Sequence, residues 1–301
     1  MKDFSQKIQC VAPIGDQCGE AATWSPQEEV LYWTDVNRFL VHRLDPKTNS
    51  VWSWHFDQPC VALFLTNRPG VLLLAIGSKL IRWEPATDQR SDYGFTLAGW
   101  PKVRLNDGRP GPGGELWIGS MANNVGEDGT PGEVVGALGE LYRIDAAGSP
   151  LRVKDNIGIS NTVCFSPDRE HFYFGDTAQN MIWRYDYDQH TREIRNEAPF
   201  FEGFERGRPD GSTVDAEGYL WNCRFGGGCL VRVSPTGELD RVIEMPCTNI
   251  TTAEFGGPDL STLYITTAAM MTSRYERLAG SLFSLQTDVP GVPPLTYSLE
   301  P

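Results

Sequence analysis

The segment VDAEGYLWN, at residues 214–222, joins a turn-forming peptide to a short strand-forming run that opens with an aliphatic and aromatic pair. Runs of this kind recur at Leu31-Tyr32-Trp33, Leu72-Leu73-Leu74, Leu116-Trp117-Ile118, Phe172-Tyr173-Phe174, Leu220-Trp221-Asn222 and Leu263-Tyr264-Ile265. Successive runs begin 41 to 56 residues apart, a spacing typical of one four-stranded propeller blade. The six repeats therefore predict an all-β, six-bladed β-propeller in which residues 1–301 form one domain.

A second strand-like segment follows each run after about one turn. Examples are VHRLDPKTN from Val41 and LVRVSPTGE from Leu230, whose Asp-Pro and Ser-Pro-Thr-Gly peptides favour turns. We interpret each run as the first strand of a hairpin. The longest interval contains the polar, glycine-rich segment NNVGEDGTPGEVVGALGE, residues 123–140, which we expect to form an extended loop over one end of the propeller. Such a loop is either a lid or a tolerated surface insertion.

Charge and composition exclude several classes of function. The net charge of −13 and the isoelectric point of about 4.8 oppose nucleic-acid binding. No stretch has the 18 or so apolar residues of a membrane span, and the N-terminal sequence MKDFSQKIQC lacks the apolar core of a signal peptide. We therefore expect a cytoplasmic protein. Its seven cysteines are scattered without a CxxC pair, so we expect reduced thiols.

Polar residues upstream of the runs are the candidates for chemistry, because the inner strands of a propeller line a central channel. They are Glu20, Arg104, Asn106, Asp107, Asn161, Asp210, Thr248 and Asn249. Two carboxylates and an amide oxygen suit a hard divalent cation such as Ca²⁺, Mg²⁺, Mn²⁺ or, less typically, Zn²⁺. An isolated Asn or Asp in such a sequence more often caps a turn, and we favour that interpretation for Asp107, Asp168 and Asp215. For Glu20, Asn161 and Asp210 the spacing leaves both interpretations open.

Histidine chemistry is not expected to contribute. We place His42, His55, His171 and His190 on outer strands and turns, as surface residues. Without histidines in the channel, a histidine-rich transition-metal site is not available.

At the candidate residues the chain resembles the family of senescence marker protein 30 (regucalcin), gluconolactonase and luciferin-regenerating enzyme, over essentially its whole length. The resemblance rests on four segments: GEAATWSPQEEVLYWTD at 19–35, RLNDGRPGPGGELWIGSM at 104–121, NTVCFSPDREHFYFGDT at 161–177 and PDGSTVDAEGYLW at 209–221. Three positions depart from the family pattern. Ala21 and Ala22 replace Gly-Pro, Thr162 replaces a glycine, and Asn123 and Asn124 stand where some relatives have acidic substrate contacts.

The resemblance implies one divalent metal, Ca²⁺, Zn²⁺, Mn²⁺, Mg²⁺ or Fe²⁺, held by Glu20, Asn161 and Asp210. It also implies that Arg104, Asn106 and Asn124 contact a sugar lactone. Hydrolysis to the aldonic acid would then use the metal to polarise the carbonyl and Asp210 as general acid and base. Two alternatives stay open: a metal-dependent esterase of other substrates, such as organophosphates or aryl esters, and a non-catalytic Ca²⁺-binding or protein-interaction propeller.

Overall fold

The computed structural model describes residues 8–300. Most of the N-terminal segment MKDFSQKIQC, for which the sequence predicts no signal peptide, lies outside the described residues. Within this range the chain forms 24 strands in six four-stranded antiparallel sheets and no α-helix. The predicted all-β, six-bladed propeller is therefore confirmed. The sheets are arranged around a channel, because the innermost strands of neighbouring blades contact one another in a closed ring.

The strands follow one another from the channel outwards in the first five blades. Blade 1 comprises β2 (Gly19–Ser25), β3 (Val30–Asp35), β4 (Leu40–Asp45) and β5 (Ser50–His55), and blade 2 comprises β6 (Cys60–Leu65), β7 (Leu72–Ile76), β8 (Lys79–Glu84) and β9 (Gln89–Thr96). Blade 3 comprises β10 (Val103–Pro110), β11 (Leu116–Ala122), β12 (Gly139–Ile144) and β13 (Pro150–Ile157). Blade 4 comprises β14 (Ser160–Phe165), β15 (His171–Asp176), β16 (Met181–Asp188) and β17 (Glu193–Phe201). Blade 5 comprises β18 (Arg208–Val214), β19 (Leu220–Phe225), β20 (Cys229–Val233) and β21 (Leu239–Glu244).

The sixth blade joins the two ends of the chain. Its inner strands are β22 (Asn249–Gly256), β23 (Thr262–Ala268) and β24 (Leu282–Gln286), and its outer strand is β1 (Ile8–Ala12). Ile8 lies opposite Leu285, and Cys10 lies opposite Phe283. The pairing of β1 with β24 covers an edge that would otherwise expose unpaired backbone groups.

The apolar runs that open each hairpin are the second strands of the blades, β3, β7, β11, β15, β19 and β23. They are apolar because both of their faces are covered by neighbouring blades, as for Trp33, Trp117 and Trp221. Their indole groups also need partners: Trp117 Nε1 donates to Glu115 at 3.0 Å, and Trp221 Nε1 donates to Asp215 at 2.8 Å. The core of the propeller thus lies between the blades.

The innermost strands share an irregularity near the same end of the channel. In blades 1, 3, 4, 5 and 6, two residues of the innermost strand oppose one residue of the second strand, which is a β-bulge. In blades 1 and 4 the first bulged residue takes a left-handed conformation, with φ of 55° at Ala21 and at Thr162. A bulge redirects the neighbouring side chains, and these bulges lie beside or contain the predicted site residues.

Two of the three predicted turn caps are confirmed. Asp168 Oδ1 accepts the amide of Glu170 at 3.0 Å, and Asp215 Oδ1 accepts the amides of Glu217 and Tyr219, both at 3.0 Å. Asp107 differs, since it lies in the bulge of β10 rather than in a turn. The bulge brings its carboxylate against the next blade, where its oxygen accepts the amide of Val163 at 3.3 Å.

The placement of His42 on the surface is wrong. Its side chain is buried on β4, where Nε2 lies 3.1 Å from Asp16 Oδ1 and Nδ1 lies 2.7 Å from Ser53 Oγ. The burial of His42 follows from its position on β4, because it pairs with Trp33 in the middle of blade 1.

All seven cysteines are free thiols, as predicted. Across residues 8–300, helices with the length and apolar character needed to cross a bilayer are not found.

Candidate active site in the central channel

The mouth of the channel holds the predicted carboxylates on two innermost strands separated by blade 6, Glu20 on β2 and Asp210 on β18. Asp210 is 5% exposed, and its backbone carbonyl accepts hydrogen bonds from Thr162 and Asn222 of the surrounding strands. Glu20 Oε2 accepts the hydroxyl of Thr252, which lies in the bulge of β22. The Glu20 carboxylate and the backbone that carries Asp210 are therefore held in place before any ligand is present.

Two amide side chains lie beside these carboxylates. Asn106 Nδ2 donates to the carbonyl of Ser160 at 2.8 Å and to Asn161 Oδ1 at 3.4 Å. Asn161 Nδ2 donates to Thr177 Oγ1 at 2.8 Å. These bonds orient the Asn161 amide, because its nitrogen is engaged by Thr177 and its oxygen is directed towards Asn106 and the channel. An oriented amide oxygen is a suitable ligand for a hard cation.

Arg104 is a buried cation held by neutral groups. Its guanidinium donates to Asn124 Oδ1 at 2.9 and 3.3 Å, to the carbonyl of Leu105 at 2.9 Å, and to Asn106 Oδ1. The residue is 6% exposed. Burial lowers the pKa of Arg104 to about 10, while the nearby charges of Cys18, Glu20 and Asp210 oppose that shift. Arg104 therefore remains charged at neutral pH and supplies positive charge beside the carboxylates.

The carboxyl groups of the mouth have raised pKa values. Burial is the main cause for Glu20, whose pKa rises to about 7, and the charge of Asp107 adds to the effect. Burial also raises the pKa of Asp210 well above its ordinary value, and the charges of Glu20 and Asp107 raise it further. The pKa of Asp107 rises to about 6 through burial, against the opposing charge of Arg109. Burial, reinforced at Glu20 and Asp210 by neighbouring carboxylates, thus makes ionisation of the cation-free site unfavourable.

Below this site, residues of four blades meet across the channel. Arg109 NH1 lies 3.1 Å from Glu254 Oε2, and the same guanidinium donates to the carbonyls of Val163 and Ser212, each at 3.0 Å. These bonds join blades 3, 4, 5 and 6 across the channel. Beneath the ion pair, a cavity of about 30 Å³ is bounded by the C-terminal segment 292–295. Within residues 8–300, these contacts obstruct the channel on the side of Asp210 away from the mouth.

The segment between β11 and β12 carries Asn124 towards the site. Val125 is buried beside Val36 and Phe39 of blade 1, and Asn37 Nδ2 donates to the carbonyl of Gly129 at 2.7 Å. The segment, residues 123–138, therefore reaches from blade 3 to blade 1 and contacts both. It forms a small hairpin in which Val125 bridges to Pro131.

Thr248 and Asn249, two of the sequence candidates, serve another element. Thr248 Oγ1 and its amide both bond Glu276 at 2.8 Å, and Asn249 Nδ2 donates to the carbonyl of Met270 at 2.7 Å. These bonds fix the segment between β23 and β24.

Conversely, sequence reasoning missed Thr252 and the Arg109–Glu254 pair. The bulge that turns Thr252 towards Glu20 has no sequence signature, and threonine is a common strand residue.

The side chains at the mouth fit a divalent cation by their chemistry. Glu20 and Asp210 supply carboxylate oxygens and Asn161 an amide oxygen, which are donors that a hard divalent cation prefers. Burial raises the pKa of both carboxyl groups, and a bound cation would favour their ionised forms. Within residues 8–300, no cluster of three or more histidine, cysteine, aspartate or glutamate side chains is arranged to bind a metal. The candidate set contains only two such residues, with an amide as the third ligand.

Comparison with known proteins agrees with this architecture. The family model described as SMP-30/Gluconolactonase/LRE-like region matches residues 18–269. A 6-deoxy-6-sulfogluconolactonase from Pseudomonas putida is 32% identical, with 96% of this chain and 97% of the relative covered. A pentonolactonase from Haloferax volcanii is 34% identical, with 83% and 81% covered. Among solved structures, a regucalcin from Agrobacterium tumefaciens, described as a calcium-binding protein, is 27% identical with a TM-score of 0.89, over 96% of this chain and 97% of that one.

The fold and site define a six-bladed β-propeller with carboxylate and amide side chains gathered at one end of its channel. The family match covers most of the chain, and its relatives align over nearly their full lengths. The chain belongs to the SMP-30/gluconolactonase/LRE-like family.

Proposed function

We propose that this protein hydrolyses a sugar lactone to the corresponding aldonic acid, with the help of one divalent cation. It is a lactone-hydrolysing enzyme, in keeping with the sulfogluconolactonase and pentonolactonase that it resembles. The observation that supports the proposal is that Glu20, Asn161 and Asp210 lie on the innermost strands of three blades near the same end of the channel. We also propose that residues 1–301 form a single domain.

Glu20, Asn161 and Asp210 are the proposed ligands of the cation. A bound cation would polarise the lactone carbonyl and stabilise the negative charge that develops on its oxygen. Ca²⁺, Mg²⁺ and Mn²⁺ suit the all-oxygen donor set, and Zn²⁺ and Fe²⁺ are the other candidates.

Asp210 is the proposed general base and acid. Its carboxylate would accept a proton from the attacking water and return a proton to the ring oxygen as the ester bond breaks. Arg104, Asn106 and Asn124 would bind the hydroxyl groups of the sugar. Their mutual hydrogen bonds hold them in place beforehand, so that less ordering is needed when the substrate binds.

A panel of γ- and δ-aldonolactones, followed with a pH indicator, tests the proposal. Metal-stripped protein would be compared with protein given Ca²⁺, Mg²⁺, Mn²⁺, Fe²⁺ or Zn²⁺. We expect turnover above the spontaneous rate only with an added cation, and the panel then ranks both substrate and metal. Cation binding without turnover of any lactone would contradict the proposal, and a matching panel of aryl esters and organophosphates would then test the esterase alternative.

A further inference from the structure

The bulge that contains Asp210 is held by hydroxyl groups of the neighbouring blade. Thr177 Oγ1 donates to the carbonyl of Pro209 at 2.7 Å, and Thr162 Oγ1 donates to the carbonyl of Asp210 at 2.6 Å. Two successive peptide groups of β18 are therefore bonded by two threonines of blade 4.

The same threonines are connected to Asn161. Thr162 follows Asn161 in the chain, and Thr177 Oγ1 accepts the side-chain nitrogen of Asn161 at 2.8 Å. Each hydroxyl group thus links one proposed cation ligand, Asn161, to the backbone that carries another, Asp210. A shift of either threonine would change the separation of the two ligands.

The conformation of Thr162 shows that this arrangement is specific. A β-branched residue at φ 55° is strained, and such strain persists only where surrounding contacts enforce it. Here the Thr162 hydroxyl also lies 3.0 Å from Ser212 Oγ, and Asn222 Nδ2 donates to it at 3.3 Å. Thr162, Ser212 and Asn222 are all buried, so that the network has little freedom to rearrange.

We propose that Thr162 and Thr177 form a threonine clamp that sets the position of Asp210 relative to Asn161. Neither threonine is assigned contact with substrate, and both are positioning residues. The catalytic consequence of the clamp rests on the proposed function. The clamp itself is present in the protein without a bound cation.

Two matched pairs of variants isolate the hydroxyl groups. Thr177→Val keeps the branched shape and removes the hydroxyl, whereas Thr177→Ser keeps the hydroxyl. Thr162→Ala and Thr162→Ser both lose the γ-methyl group and differ only in the hydroxyl. If Thr162→Ala does not fold, the Thr177 pair decides the question, since Thr177 is only partly buried.

The first measurement is amide hydrogen exchange in the cation-free variants, read for the peptide 208–214 that contains β18. We expect exchange in this peptide at least tenfold faster in Thr177→Val than in Thr177→Ser, with the other blades unchanged. Equal exchange in the two variants, or acceleration spread evenly over the molecule, would overturn the clamp. This result does not depend on whether the protein is a lactonase.

The second measurement is the affinity for Ca²⁺ and Mn²⁺ by titration calorimetry, together with kcat and KM for the best lactone. Loss of a residue that orients a metal ligand typically weakens metal affinity or activity about 10- to 100-fold. We expect that loss in the variants without a hydroxyl, mainly in cation affinity and kcat, and near wild-type values in the serine variants. Local acceleration of exchange with unchanged cation affinity and kcat would overturn the positioning role. A wild-type protein without cation binding or turnover would instead overturn the proposed function.

Discussion

Asp210 is the residue on which the proposed chemistry depends most directly. It is buried at the mouth, its backbone carbonyl has two donors, and burial together with neighbouring carboxylates raises its pKa. Asparagine has nearly the same size as aspartate, but it cannot accept a proton as a base. The substitution therefore separates the charge of this side chain from its packing.

For Asp210→Asn we expect kcat/KM for the preferred lactone to fall about 10²- to 10⁴-fold, the usual contribution of general acid-base catalysis. The melting temperature without cation should be unchanged or higher, because the asparagine amide, unlike a carboxylate, cannot add negative charge to the buried site. Asp259→Asn, at an exposed cap of the turn between β22 and β23, serves as the control and should keep wild-type kinetics. Activity of Asp210→Asn within tenfold of wild type would refute the catalytic assignment.

The residues of the site were predictable to different degrees. Glu20, Asn161 and Asp210 occupy recognisable motifs, and the structure brings their strands together at one mouth. Asp107 was misread as a turn cap because Asn-Asp-Gly is also a common turn sequence. His42 was misread because the sequence does not show that this position of β4 is covered within its own blade. The error at Asp107 concerns a contact between two blades, in which it accepts the amide of Val163.

At the scale of the element, the innermost strands have the weakest strand pattern in the sequence. Strand β14, SNTVCF, and strand β18, RPDGSTV, mix polar and small residues because one side faces the channel. The fully covered second strands have long apolar runs and dominate the pattern. The repeat length therefore predicted the number of blades correctly, while the bulges that position the site had to come from the structure.

The segment 123–138 is an element whose role the sequence left undecided between a lid and an insertion. Its contact with blade 1 provides a test, because an ideal Cβ on Gly129 would lie 1.9 Å from the carbonyl oxygen of Asn37. Gly136 in the same segment also has positive φ, but a Cβ there meets nothing closer than 3.9 Å. The two glycines thus form a matched pair with similar backbone strain and different contacts.

For Gly129→Ala we expect the segment to detach from Asn37, which would loosen Asn124 and therefore Arg104. KM for the lactone should rise several-fold with a smaller change in kcat, and limited proteolysis should cut the segment faster than in wild type. Gly136→Ala should show neither change. If the two variants behave alike, the contact with blade 1 has no part in substrate binding, and the insertion interpretation is correct.

At the scale of the whole molecule, closure of the ring determines whether the site exists at all. Strand β1 completes blade 6, Thr252 of blade 6 holds Glu20 of blade 1, and the Arg109–Glu254 pair joins blade 3 to blade 6. The site is therefore assembled by long-range contacts between blades. Its concentrated negative charge opposes this assembly, so that site ionisation and global stability should be linked.

The sign of this linkage follows from the raised pKa values. In the cation-free folded protein burial raises the pKa of Glu20 to about 7 and that of Asp107 to about 6, whereas in the unfolded chain these carboxyl groups have their ordinary pKa values of 4.5 and 3.8. The folded state therefore retains protons that the unfolded state has lost. The resulting stabilisation is complete below the unfolded pKa values and is lost as the pH rises through about 6 to 7.

We accordingly expect the melting temperature of metal-stripped protein to fall as the pH is raised from about 5 to about 8. A divalent cation binds the ionised carboxylates of the folded state, so it should raise the melting temperature more at about pH 8 than at about pH 5. Thermal unfolding across this range, with and without Ca²⁺ or Mn²⁺, measures both effects. Asp210→Asn should show a smaller cation-induced rise. An equal rise at both pH values, or an equal rise in the variant, would mean that the cation stabilises the protein from a site other than the channel mouth.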